Sequence, residues 1–174
     1  MSTIVSHAAL PIALSACFPA GTLPPRLVAI GALCAMVSDL DVIGFAFGIR
    51  YGDILGHRGF SHSILFAAGL AALLALSWPQ SQSGRFPVFL FLFLSTLSHP
   101  FLDAFTNGGL GVAWFAPFSG KRYFFPWRPL IVPPIGIRPF FSAWGWRVAR
   151  SELLWIWLPS SVVFAVARLV KKMW

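Results

Sequence analysis

The sequence predicts an all-α, polytopic membrane protein with four or five membrane segments. Three observations carry this prediction. Of the 174 residues, 57% are hydrophobic and 10% are charged, against about 25% charged in an ordinary soluble domain. Several apolar stretches approach the roughly 20 residues that a spanning helix needs. The basic residues, 13 Lys and Arg against five acids, stand mostly singly between those stretches, as anchors at membrane flanks do. So few charges cannot cover a soluble globule, which excludes a soluble enzyme, and the same composition excludes disorder. The two cysteines, Cys17 and Cys34, lie inside apolar stretches and exclude a disulfide scaffold. A formal net charge of +8 without a run of bases or a recognised binding module does not point to nucleic acid.

The first apolar stretch, Ile4 to Ala20, is broken by Pro11. The second runs from Leu27 to about Phe47 and carries Ser38-Asp39-Leu40-Asp41 near its end. The third, Ser61 to Trp78, is the cleanest, and the fourth runs from Phe86 to about Ala104. The fifth, Leu153 to Val170, meets a basic stop at Arg168, Lys171 and Lys172. Gly21 to Arg26 reads as a Pro/Gly turn and Pro79 to Arg85 as a polar turn. The long link from Gly108 to Arg150 is rich in proline and aromatic residues and holds Trp114, Trp127, Trp144 and Trp146, half of the eight tryptophans. It is too interrupted to span, and its aromatic and basic mixture suits the headgroup layer. The expectation is one integral membrane domain over 1–174: a metal-site core over about 1–125, an aromatic and Pro-rich interfacial link over 108–150 and a C-terminal membrane helix over 151–172.

Ionisable residues are scarce enough for their places to be informative. The histidines are His7, His57, His62 and His99, and the acids are Asp39, Asp41, Asp53, Asp103 and Glu152. If the segments alternate across the membrane, the start of the first, the end of the second, the start of the third and the end of the fourth share one face. That order alone gathers all four histidines with Asp39, Asp41 and Asp103. His99 and Asp103, four apart, share a helix face. His57 and His62 are five apart, and Gly59 lets the chain turn between them. Asp39 and Asp41, two apart, diverge on an α-helix, so either the helix ends there or one of them acts behind the other. Asp53 reads as a solvated loop residue and Glu152 as a first-turn carboxylate of the last helix.

Buried ionisable groups persist only when paired or ligating. Imidazole and carboxylate donors without thiolate suit Zn, Mn or Fe. Seven candidate metal ligands, His7, Asp39, Asp41, His57, His62, His99 and Asp103, are too many for one tetrahedral zinc and suit two or more ions. Two close metals can activate water and clamp a phosphoester. Arg58, Lys121, Arg122 and Arg128 could bind phosphate oxygens, with Asp41 and Arg58 as the expected catalytic groups and Arg58, Lys121 and Arg122 as substrate contacts.

Three blocks resemble the YdjM-like family of LexA-regulated, membrane-bound, metal-dependent hydrolases: Ser38-Asp39-Leu40-Asp41, His57-Arg58-Gly59-Phe60-Ser61-His62-Ser63, and His99-Pro100-Phe101-Leu102-Asp103 with Thr106 and Gly109. His7 matches the family's early histidine, and Val112 to Tyr123 resembles the loop after the third block. The likeness covers roughly residues 7 to 125. It departs at Ser38, where the family usually has proline, and at Gly120, where it usually has an acid. The set is also distantly similar to the zinc-dependent phospholipase C and P1 nuclease group. The resemblance implies a bacterial inner-membrane metal-dependent hydrolase, with a phosphoester such as a lipid headgroup as substrate and membrane lipids as partners. The alternatives are a transporter or ion-conducting protein, which would place its site at mid-membrane, and a non-catalytic scaffold. The bases number eight on the site's face and five on the other, which favours a cytoplasmic site under the positive-inside rule.

Overall fold

A computed structural model of the chain describes residues 3–79, 84–133 and 141–173. Most of the polar turn after Pro79, and 134–140 of the long link with Arg138, lie outside the described residues. Among the described residues, six α-helices follow a single 3-10 turn at Ser6–Ala8: α1 Ala9–Ser15, α2 Pro25–Val37, α3 Ile64–Ser77, α4 Arg85–Ala104, α5 Ala143–Glu152 and α6 Leu158–Met173. Pro25 opens α2 at its first turn, where a missing N–H costs nothing. The helix then tightens into 3-10 turns over Ser38–Phe47 and ends on Gly48, whose φ of 78° is the left-handed cap that glycine adopts without a Cβ clash. Among the described residues there is no strand, only isolated bridges pairing Thr106 with Leu130 and Val112 with Tyr123.

Among the described residues, three helices are long and apolar enough to cross a membrane: Pro25–Phe47, Arg85–Ala104 and Ala143–Met173. This is below the four or five segments that the apolar runs suggest. The first run yields only the seven residues of α1, because its start winds as a 3-10 turn and its end falls into turns before Pro19. The third run loses its start to the turn at Phe60–His62, and Ser63 caps the helix by accepting from the Phe66 N–H. Its 14 residues reach about 21 Å, short of a hydrocarbon core of about 30 Å. The last helix instead begins earlier than the sequence suggests. α5 and α6 join through a π-helical turn at Leu153–Trp157, so the end of the long link is helical and continuous with the final span.

α4 is the central wall. Ala67, Ala71 and Ala75 form the buried stripe of α3, and small residues at this spacing let two membrane helices approach closely. On α2, Gly31 serves the same purpose: a Cβ there would stand 2.5 Å from a Phe91 ring carbon. Leu27, Cys34, Ala71, Ala75, Val88, Phe91 and Leu92 make the main core. A second, smaller core of Ala9, Leu102, Leu130 and Ile156 joins α1 and α4 to the last helix. These contacts bring the end of α2, the start of α3 and the end of α4 to the same end of the bundle.

Candidate metal centre

Four chain segments deliver the rare polar residues to that end. His7 sits in the 3-10 turn before α1, Asp39 and Asp41 in the 3-10 turns after α2, His62 in the turn before α3, and His99 and Asp103 on the last turns of α4. His7, His62, His99 and Asp103 are fully buried, and Asp39 and His57 nearly so. A 3-10 helix has about three residues per turn, so positions two apart point well away from each other. Asp39 accordingly faces His62 and His99, and Asp41 faces His57 and Ser61.

Asp39, His62, His99 and Asp103 could hold one metal ion, with one donor atom from each and all four within 4.8 Å of one another. His62 Nε2 lies 3.1 Å from His99 Nε2. Asp39 Oδ1 lies 3.2 Å from His99 Nε2 and 3.8 Å from His62 Nε2. Asp103 Oδ2 lies 3.5 Å from His62 Nε2 and 3.8 Å from His99 Nε2. Ligands roughly 2.0–2.1 Å from a tetrahedral zinc stand about 3.3 Å apart, so the cluster has nearly the dimensions of such a shell.

The tautomers point the same way. His99 Nδ1 lies 2.6 Å from the Ala35 carbonyl. A carbonyl only accepts, so Nδ1 carries the proton and the neutral ring turns its Nε2 lone pair into the cluster. His62 Nδ1 faces Asp41 Oδ2 at 3.2 Å and the Ser61 hydroxyl at 3.0 Å, which leaves Nε2 inward there too. Burial lowers the His62 pKa, but the Asp103 and Asp41 carboxylates outweigh it and hold the imidazole above its ordinary value. Both Asp39 oxygens are buried with no hydrogen-bond partner among the described residues. A buried carboxylate in that state is costly unless a cation meets it.

Asp41 has the opposite surroundings. Its carboxylate accepts from His57 Nδ1 at 2.6 Å, the Ser61 hydroxyl at 2.6 Å and the Arg58 backbone N–H at 3.1 Å. Asp41, His57 and His62 are also close enough for an ion, but those Asp41 oxygens already have donors. His7 stacks on His99 with ring centroids 3.7 Å apart, and its Nε2 lies 3.8 Å from Asp103 Oδ1.

The cationic residues are placed differently from one another. Arg58 is fully buried. Its Nε lies 2.9 Å from Asp103 Oδ2, and its other nitrogens donate to the Thr106 hydroxyl and the Gly108 carbonyl, both at 2.9 Å. Arg122 donates to the backbone carbonyls of His57, Tyr51 and Asp53, tying the long link to the histidine loop. Lys121 is exposed and stands over the Tyr123 ring, while Arg128 is exposed over Phe124.

Several supporting groups have little signal in the sequence. The Ala35 carbonyl that orients His99 has none. Tyr51 packs its ring edgewise on His57, 5.1 Å between centroids, and burial pushes its phenol pKa up. Glu152 accepts from the Thr3 hydroxyl at 2.6 Å, the Ser6 hydroxyl at 2.8 Å and the Thr3 backbone N–H. It therefore clasps the segment that carries His7. Its scarcity as a near-membrane acid is the one signal that could have found it.

These features define a class: an all-helical membrane protein with a buried histidine and aspartate cluster at one end of its bundle. The chain belongs to the YdjM inner membrane protein family, whose profile matches residues 1–174. It is 38% identical over 169 residues to the inner membrane protein YbcI of Escherichia coli (strain K12), a match covering 95% of this chain and 96% of the relative. No solved structure matches the chain. With its three apolar helices, the chain is an integral protein of the bacterial inner membrane.

Proposed function

We propose that the chain is a metal-dependent hydrolase of the inner membrane, acting on a phosphoester at the level of the lipid headgroups. The observation that supports this best is the Asp39 carboxylate, buried without a hydrogen-bond donor and facing two imidazole lone pairs. Asp39, His62, His99 and Asp103 would hold the ion. Such a site, once loaded, would supply Lewis acidity and a water of lowered pKa. Asp41 orients His57 and His62 through their Nδ1 atoms. His57, held this way beside the cluster, is the imidazole placed to hold a proton during hydrolysis. Arg58 fixes Asp103, and Arg122 fixes the backbone around His57. Lys121, exposed beside this frame, is a cation placed to meet phosphate oxygens. The donors lie at helix ends, which favours an enzyme over a transporter with a mid-membrane site.

The test is hydrolysis of a generic phosphomonoester, a phosphodiester and a phospholipid by purified protein loaded with Zn, Mn or Fe. We expect turnover that chelation abolishes and that His99→Ala lacks. Metal-loaded wild-type protein that hydrolyses none of the three would overturn the hydrolase reading while leaving the metal centre standing.

A further inference from the structure

One hollow among the described residues does not open on the histidine cluster. It is a cavity of about 440 Å³ between α1, α4 and the last helix, with Leu10, Leu94, Phe105, Trp127, Trp155 and Val163 among its walls. Its lining is apolar or aromatic apart from the hydroxyls of Ser98 and Ser160, and the Ser98 hydroxyl already donates to the Ser95 carbonyl at 2.7 Å. Such a hollow offers water too few partners to hold it. Its volume falls in the range of small-molecule sites, roughly 300–1,000 Å³. Leu94, Ser98 and Phe101 lie on one face of α4, with Phe105 just past its end, turned away from His99 and Asp103.

We propose that this cleft binds one acyl chain of a phospholipid from the leaflet on the metal centre's side. Two of its three walls, α4 and the last helix, are membrane-spanning, so hydrocarbon surrounds it. Its depth fits one leaflet. Leu94 to Phe105 covers about 16 Å at the helical rise, and one leaflet of hydrocarbon measures about 15 Å, half of a bilayer core. The ends of the cleft differ as the ends of a lipid do. Trp127 and Trp155 meet edge to face at one end, 4.7 Å between centroids, as interfacial tryptophans do. Exposed Arg128 follows Trp127 there and suits a phosphate. Leu94 and Val163 close the deep end with hydrocarbon alone. This site does not rest on the hydrolase reading.

Full-length protein in phospholipid vesicles, carrying a trace of phosphatidylglycerol with a mid-chain diazirine, tests the proposal by irradiation and mass-spectrometric mapping of adducts. Adducts should concentrate on Phe101, Trp155 and Val163 over Leu169, an exposed residue of the same last helix outside the cleft. Leu94→Trp and Val163→Trp, made separately, should each fill the cleft and bring labelling of Phe101 and Trp155 down to that at Leu169. Labelling at Leu169 itself should not change, which reports that the variant is folded and inserted. Equal labelling of cleft residues and Leu169 in the wild type, or cleft labelling that neither filling variant lowers, would overturn the proposal.

Discussion

Asp39 and Asp41 are two residues apart and chemically opposite. Asp41 accepts from a ring nitrogen, a hydroxyl and a backbone N–H, whereas neither Asp39 oxygen accepts from any described residue. Asp41→Asn keeps the volume but turns an amide N–H₂ toward groups that themselves donate. It should weaken metal affinity by about 10–100-fold, as loss of an orienting partner does, without changing stoichiometry at saturating metal. Titration against a competing chelator measures this. Arg58 acts on Asp103 from within the fold, at φ 62°, a left-handed conformation uncommon outside glycine. Arg58→Ala removes the guanidinium beside the buried Asp103 carboxylate and should lower stability, by up to about 3–5 kcal/mol for a broken buried pair, read as a lowered midpoint in detergent unfolding. The gathering of His7, His57, His62, His99 and the aspartates was legible in the sequence, because alternation of apolar runs fixes which ends share a face. The separate duties of Asp39 and Asp41 were not, because they depend on α-helix giving way to 3-10 turns at Ser38. The burial of Arg58 was not legible either, since an arginine beside two histidines serves a substrate or a buried acid equally well.

The loop before α3 is the element that sets the cluster's geometry. At Gly59 a Cβ would stand 2.1 Å from the Ile54 carbonyl oxygen, and at Gly56 one would stand 2.1 Å from that of Arg50. Both obstacles are backbone, so no side-chain rotation relieves them. Gly59→Ala should therefore displace His57 and His62 together and lower bound metal even where the helices persist. Metal content with far-UV circular dichroism separates that outcome from general unfolding. The turn at Gly59 could be read from the sequence. Helix lengths were less legible, because an apolar run is the same in a 3-10 turn, an α-helix or a π turn. The runs at Ile4–Ala20 and Ser61–Trp78 consequently yielded shorter helices than expected, and the last helix a longer one.

At the scale of the molecule, three spanning helices and two shorter ones carry a polar cluster that a bilayer protein would otherwise shed. Four segments distant in sequence meet there, and Glu152 holds the segment that carries His7 from the far end of the chain. Such an arrangement costs desolvation of several carboxylates, which a bound cation offsets. The most direct test is elemental analysis with X-ray absorption on purified full-length protein, beside an Asp39→Ala variant matched for fold by circular dichroism. The Asp39 metal centre predicts a transition metal with nitrogen and oxygen ligands and no sulfur in the wild type, and loss of that metal in the variant. Wild-type protein that stays metal-free after reconstitution, or a folded variant that retains the metal in full, would contradict it.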